Sequence, residues 1–450
     1  MNICFVANYT KTFFFDAIAD NLKKNNCNVF WIVVNKGNYD FLSKKYPQES
    51  ILYLPKNKVI GMSHEIIDDF KLNELVYGDR TLKYDYENGY RFLCNLQRLV
   101  YDFVKNNHLQ YIFGEITWAH EALIARIVHY RKELSCTHLD MHTVRIPSDR
   151  FTFFNNEFQE TFLITDPNFN EKEVPAGAFE LKKPYYLASN DAILKKSLSI
   201  KGRLKRFKSF LTSENLDEND ITLLSKTQKQ RTLLPIQNEI NKETYKRVKT
   251  VGYDYLADKK FVLLTLHKQP EASIDITARY VESQSENIID LWRILPKDWI
   301  LGVKEHSNAI GDRSLAWFKN LAKFKNIVFI HEKLDSHKLI DMCQVVYTIA
   351  GTIAYEAALK HKPVLTPIQL FFDYPYIKKI DIDILRNCKN LESILKEIPD
   401  KTKDEKMLQQ KIYFNSFPGI IGDPLNVPSC MEESNISNVS KAILKVITHS

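Results

Sequence analysis

The chain of 450 residues is 44% apolar and 26% charged with both signs interspersed, which excludes a disordered protein and leaves room for two ordinary domains. Its net charge of +7, from 62 basic and 55 acidic side chains, is too diffuse for a nucleic-acid binder but suits an anionic substrate. No apolar run reaches the roughly 18–20 residues of a membrane span. Residues 3–7 are apolar with no basic lead and no cleavage site, so they read as a strand and not as a signal peptide. Seven scattered cysteines, with no C-x-x-C pair, predict reduced thiols in a cytoplasmic protein and no structural zinc.

Residues 2–7 (NICFVA) predict a buried strand, 13–24 an amphipathic helix, 29–34 (VFWIVV) a second strand and 51–54 a third. A β-α-β opening of this kind points to a parallel sheet with crossover helices. Its first turn, Asn8-Tyr9-Thr10-Lys11-Thr12, has no glycine. The dinucleotide fingerprint G-x-G-x-x-G is therefore absent, which counts against an NAD or FAD enzyme.

Residues 89–105 carry helical apolar spacing and lead into a strand at 111–113, closed by Gly114-Glu115. A helix opens near Trp118 with His120 and Glu121 in its first turn. Residues just past the carboxyl ends of strands face the ligand crevice in open α/β sheets, which makes Glu115 a candidate catalytic carboxylate. The alternative is a helix-capping role. His120 joins Glu115 as a catalytic candidate. Within 143–154 (TVRIPSDRFTFF), Arg145 and Arg150 are either forks for a carboxylate or phosphate or ordinary surface arginines.

From 184 to 258 long helical patterns dominate. Residues 193–211 place Leu194, Leu198, Leu204, Phe207 and Leu211 at helical spacing among seven lysines and arginines. Such a helix either lies peripherally on an anionic membrane or packs as a connector with a solvated basic face.

A second α/β pattern begins at 261. Strands at 261–266, 299–303, 326–330 and 345–349 each end in a polar loop. The loops are His267-Lys268-Gln269-Pro270-Glu271, Lys304-Glu305-His306-Ser307, His331-Glu332 and Ala350-Gly351-Thr352. Lysines, histidines and a Gly-Thr helix start collected on one sheet edge suit a phosphate. Thr352 is expected to cap the helix 353–359 with its hydroxyl, and Glu356 lies one turn on, along the same face. A terminal helix is expected at 435–447, after turns at Pro424 and Pro428.

These loops resemble elements of the capsule and surface polysaccharide biosynthesis glycosyltransferases. Leu266 to Glu271 resembles their L-H-x-Q-P-E element, and Val303-Lys304-Glu305-His306 their V-K-x-H-P element. Gly351 to Ala357, followed by Lys362-Pro363-Val364, resembles G-T-x-x-x-E-A…G-K-P-V. Phe113-Gly114-Glu115 and Pro147 to Phe151 look like N-terminal elements of the same group. Ser307 and His361 depart from the pattern, standing where the family has proline and glycine. The likeness spans about residues 111–155 and 261–376.

The resemblance implies an α/β GT-B-like fold, two Rossmann-like parallel-sheet domains facing a crevice. It divides into 1–183 on the acceptor side, a helical connector 184–258, a nucleotide-sugar domain 259–425 and a return helix 426–450. It implies transfer of a sugar, favoured as Kdo from CMP-Kdo, to a capsule, O-antigen or lipid-linked acceptor. His267, Gln269, Lys304, His306, Gly351, Thr352 and Glu356 would hold the donor, with Glu115 and then Glu271 as catalytic carboxylates. No resident cofactor or metal is expected, the CMP-linked sugar being a co-substrate. A UDP-sugar 2-epimerase and a catalytically silent nucleotide-sugar-binding subunit are the competing readings.

Overall fold

The computed structural model describes residues 1–63, 66–181, 202, 219–224, 228–398 and 402–449. The basic helix expected at 193–211 lies outside the described residues, apart from Gly202. Among them, no helix is long and apolar enough to cross a membrane.

Continuous apolar runs are what strands covered on both faces require, and they form the centre of the first sheet. β1 (Asn2–Val6), β2 (Asn28–Val33), β3 (Ile51–Tyr53), β4 (Tyr111–Gly114) and β5 (Thr137–Thr143) run parallel in the order β5-β4-β1-β2-β3. β6 (Arg150–Phe154) adds antiparallel to β5. Successive side chains of a strand point to opposite faces, and the core divides accordingly. Ile3, Phe5, Trp31 and Phe113 pack with Phe14 and Ile18 of the helix Lys11–Lys23. Cys4, Val6, Ile32 and Ile112 pack on the other face with Phe92, Leu96 and Val100 of Tyr86–Asn106.

The second sheet is parallel throughout. It holds β7 (Thr250–Val251), β8 (Phe261–Thr265), β9 (Ile300–Lys304), β10 (Ile327–Ile330), β11 (Val345–Tyr347), β12 (Val364–Thr366) and β13 (Ile377–Lys379), in the order β13-β12-β11-β8-β9-β10-β7. The chain then crosses back. β14 (Phe417–Pro418) pairs antiparallel with β6, and the helix Glu433–His449 lays Ile436, Val439, Ile443, Val446 and Ile447 onto the cluster that holds Phe14 and Ile18. Two parallel-sheet domains tied by a returning helix are the GT-B plan.

Two expected boundaries move. β7 joins the second sheet ahead of residue 259, and β14 joins the first ahead of 426. Both strands are two residues long, too short for alternation to show in sequence. The end of the connector also docks on the first domain. Asp220, fully buried, accepts hydrogen bonds from Tyr9 Oη (3.1 Å) and Asn35 Nδ2 (2.6 Å).

Candidate active site

In each sheet one strand is the point where the order of connections reverses. These are β1, between β2 and β4, and β8, between β9 and β11. Ligands of open α/β sheets sit beyond the carboxyl ends of such strands. Asn8 to Lys11 and Glu115 occupy that place in the first domain, and His267 to Glu271 and Ala350 to Thr352 in the second.

The second-domain switch point is stitched together by His267. Its Nε2 lies 3.0 Å from Thr348 Oγ1 and 3.4 Å from the Ala350 amide, and Thr348 Oγ1 also accepts from the Gly351 amide at 3.3 Å. Burial, with the His306 and Arg313 charges, pushes His267 down to about 3, so its ring is neutral and accepts. A Cβ on Gly351 would stand 2.7 Å from Thr348 Oγ1 and 3.2 Å from His267 Cε1, so the turn closes only over glycine. Thr352 does not cap with its hydroxyl as expected. Its own backbone is already helical, and the first-turn amides of Ala354 and Tyr355 donate to the Gly351 (3.0 Å) and Thr352 (3.0 Å) carbonyls.

Lys304 ends β9 and donates to the Glu332 carbonyl at 3.1 Å. Burial lowers its pKa, partly offset by Glu332, Asp335 and Glu305. Glu305 turns away from the crevice and accepts from Arg313 Nη1 (2.7 Å) and the His306 amide (2.9 Å). His306 Nδ1 accepts from the Asn308 amide at 3.2 Å, which leaves the ring proton on Nε2. Burial and the charges of Lys304, Lys268 and Arg313 lower its pKa. Glu356 is half-buried with its Oε2 3.7 Å from His337 Nε2, and burial raises its pKa.

Across the crevice, Glu115 forms an ion pair with the buried Lys11. Burial would raise the Glu115 pKa, but Lys11, then His142 and Arg80, outweigh it and hold the carboxyl below its ordinary range. Arg80 lies over the Trp118 ring at 5.2 Å. Behind Glu115, Asp140 is fully buried and pushed up to about 7, chiefly by burial, and accepts from Gln159 Nε2 at 2.6 Å. Glu121 is taken up locally, accepting from Asn8 Nδ2 (3.0 Å), the Thr117 amide (2.6 Å) and the Trp118 amide (2.9 Å). That clamp shapes the glycine-free first turn.

Glu271 brings the two edges together. It is open to the crevice, and protein packed around it raises its pKa against the opposing pull of Lys268, Arg80, Ser273 and Arg145. Arg80 and Arg145 belong to the first domain, and Arg80 acts on both Glu115 and Glu271. Glu115, Glu271, Lys304, His306, Gly351 and Thr352 thus border facing strand ends, with Arg145 on the first-domain side.

Other expected site residues have different tasks. His120 points into the first domain beside Asp79, Leu82, Phe92 and Thr222, 3% exposed, and burial lowers it to about 3. A catalytic role there is corrected to a core histidine. Arg150 donates from Nε to Ser416 Oγ (2.9 Å) and from Nη2 to the Tyr413 carbonyl (2.8 Å) and stacks on the Tyr413 ring. Its guanidinium ties β6 to the returning chain, which corrects the substrate-anion role. Gln269 is turned inward to Asp275 (3.1 Å) and Gln284 (3.1 Å), and with the buried His267 it supports the loop. Lys11, Arg80, His142 and Arg313 were not picked out from sequence. Only Lys11, a lysine at the wrong end of a helix dipole directly after a buried strand, carried a local signal.

No family model and no curated protein matches the chain. Among solved structures, the Thermosulfurimonas dismutans KpsC beta Kdo 2,7 transferase is similar at 11% identity and TM-score 0.38, covering 93% of each chain. The UDP-GlcNAc 2-epimerase of Neisseria meningitidis aligns over 100% of both chains at 10% identity and TM-score 0.26. The calicheamicin glycosyltransferase CalG4 aligns over 98% of this chain and 97% of its own at 11% identity and TM-score 0.28.

Proposed function

We propose that the chain is a GT-B glycosyltransferase that moves a sugar from a nucleotide sugar to a growing bacterial surface glycan, with CMP-Kdo the favoured donor. One observation carries this reading. Two carboxylates from opposite domains, Glu115 and Glu271, border one crevice under the shared influence of Arg80, beside a tight glycine turn packed on His267, which feels the His306 charge.

The chemistry follows from the local charges. A departing nucleoside monophosphate gathers negative charge, which Lys304, the His306 Nε2–H and the Thr352 amide stabilise. Environments that push two carboxyl groups in opposite directions divide the acid–base work between them. Glu115, held ionised by Lys11, takes the acceptor proton or attacks the anomeric carbon, while Glu271 is the group that carries a proton more readily. Arg80, Arg145 and Lys268 suit the carboxylate of an acidic sugar.

Calorimetric titration with CMP, UDP and GDP tests the reading. CMP is expected to bind most tightly. UDP binding without a CMP response would overturn the CMP-Kdo assignment and leave the fold, and no heat from any nucleotide would leave only a scaffold role.

A further inference from the structure

The segment after β8 carries Lys268 and Glu271 and then leaves its own domain. Ile276, within the π-helical turn Ser273–Thr277, packs in the core of the first domain with Leu75, Ala119 and Ala122. The turn presses on Gly78, where a Cβ would stand 2.9 Å from the Asp275 carbonyl oxygen. Arg279 follows and enters a pocket of the first domain. Its Nη1 meets Glu74 Oε1 at 2.6 Å and its Nη2 meets Glu157 Oε2 at 2.8 Å. Arg126 closes the square, with Nη2 2.6 Å from the same Glu74 oxygen and Nε 2.8 Å from Glu157 Oε1. The Arg279 side chain is 4% exposed and the Arg126 side chain 7%. Such a square is stable only while complete, because removing one member leaves a buried charge uncompensated.

Hydrogen bonds on either side of the Asp275–Ile276 peptide link this square to Glu271. Arg279 Nε donates to the Ile276 carbonyl at 2.8 Å. Asp275, one residue back, accepts from the Glu271 amide at 2.8 Å and from Gln269 Nε2 at 3.1 Å. The Asp275 amide in turn donates to the Glu271 carbonyl at 2.8 Å.

We infer that Arg279 is a positioning residue: by seating in the Glu74–Glu157 pocket of the opposite domain, it fixes where Glu271 stands against Glu115 and Arg80. The inference rests on the glycosyltransferase reading for its activity readout. The donor turn at Gly351 and the cations at Lys304 and His306 lie on other loops, and only His267, which braces that turn, shares the β8 loop, so loss of Arg279 should change nucleotide affinity far less than turnover. Lysine in its place keeps the charge but loses the fork that meets both carboxylates.

The test is kinetic and uses the full chain. Arg279→Lys is expected to lower kcat at least tenfold with CMP affinity within twofold of wild type, and to change turnover less than twofold in a Glu271→Gln background. Equal losses in both backgrounds, or a parallel loss of CMP affinity, would overturn the proposal. If the wild-type chain turns over no nucleotide sugar, the functional reading fails, and Arg279 is then judged by small-angle scattering. Arg279→Met should enlarge the radius of gyration with unchanged far-UV circular dichroism, and an unchanged radius would overturn the positioning role.

Discussion

Replacing Gly351 by alanine isolates the turn proposed to hold the donor. The new Cβ would lie 2.7 Å from Thr348 Oγ1, whereas ordinary contact begins at 3.4 Å, so hydroxyl and turn must separate by roughly 0.7 Å. Thr348 is fully buried, and its hydroxyl contacts His267 Nε2 at 3.0 Å and receives the Gly351 amide at 3.3 Å. The strain falls on the turn and displaces the Thr352 amide proposed to meet the phosphate. Losing one amide bond to a charged phosphate costs about 1.5–3 kcal/mol. With tenfold in affinity per 1.4 kcal/mol, CMP should bind about 10–100-fold more weakly. Calorimetry reads this directly, with a thermal melt to establish that the variant is folded. Adding Thr348→Ala removes the 2.7 Å contact and should restore part of the affinity. A folded Gly351→Ala protein binding CMP within twofold of wild type would refute the reasoning.

Three further outcomes follow. Glu115→Gln should abolish turnover while keeping nucleotide, whereas Lys304→Ala should weaken nucleotide binding; normal turnover in the first removes Glu115 from the reaction. Arg150→Met should cost about 2–3 kcal/mol in urea unfolding, through its lost bonds to Ser416 and Tyr413, with CMP affinity intact. His120 has a folded pKa of about 3 against an ordinary 6.5, so the unfolded chain takes up its proton first as pH falls. Stability present above pH 6.5 is lost on acidification toward 3. In His120→Leu that loss should be shallower by up to about 1.4 kcal/mol per pH unit, and an identical acid limb in the two proteins would show that His120 is not buried neutral.

The strands that build the sheet centres were legible because both their faces are covered, so residues 3–7, 29–34 and 261–264 are apolar without interruption. β5 was not, because THLDMHT buries His138 and Asp140 inside a parallel sheet and breaks the apolar signal. β7 and β14 were missed for want of length, and β13 because two of its three residues are lysines on a partly exposed edge. In the crevice, residues that follow strands directly, such as Glu115, Lys304 and Gly351, could be placed from position alone. Arg80 could not, since it reaches both carboxylates from the short turn between the helix Leu72–Gly78 and the helical turn Leu82–Tyr84, and nothing near it in sequence marks a strand end. His120 and Arg150 looked functional by residue type, yet tertiary packing gave one to the core and the other to the returning chain.

The most direct measurement is CMP release from CMP-Kdo by the purified chain in the presence of a surface-glycan acceptor, run beside the Glu115→Gln variant. The expected result is acceptor-dependent release by the wild type, and none by the variant, which still binds CMP. Intact CMP-Kdo in both reactions, with UDP-GlcNAc converted to its 2-epimer by the wild type, would contradict the glycosyltransferase assignment.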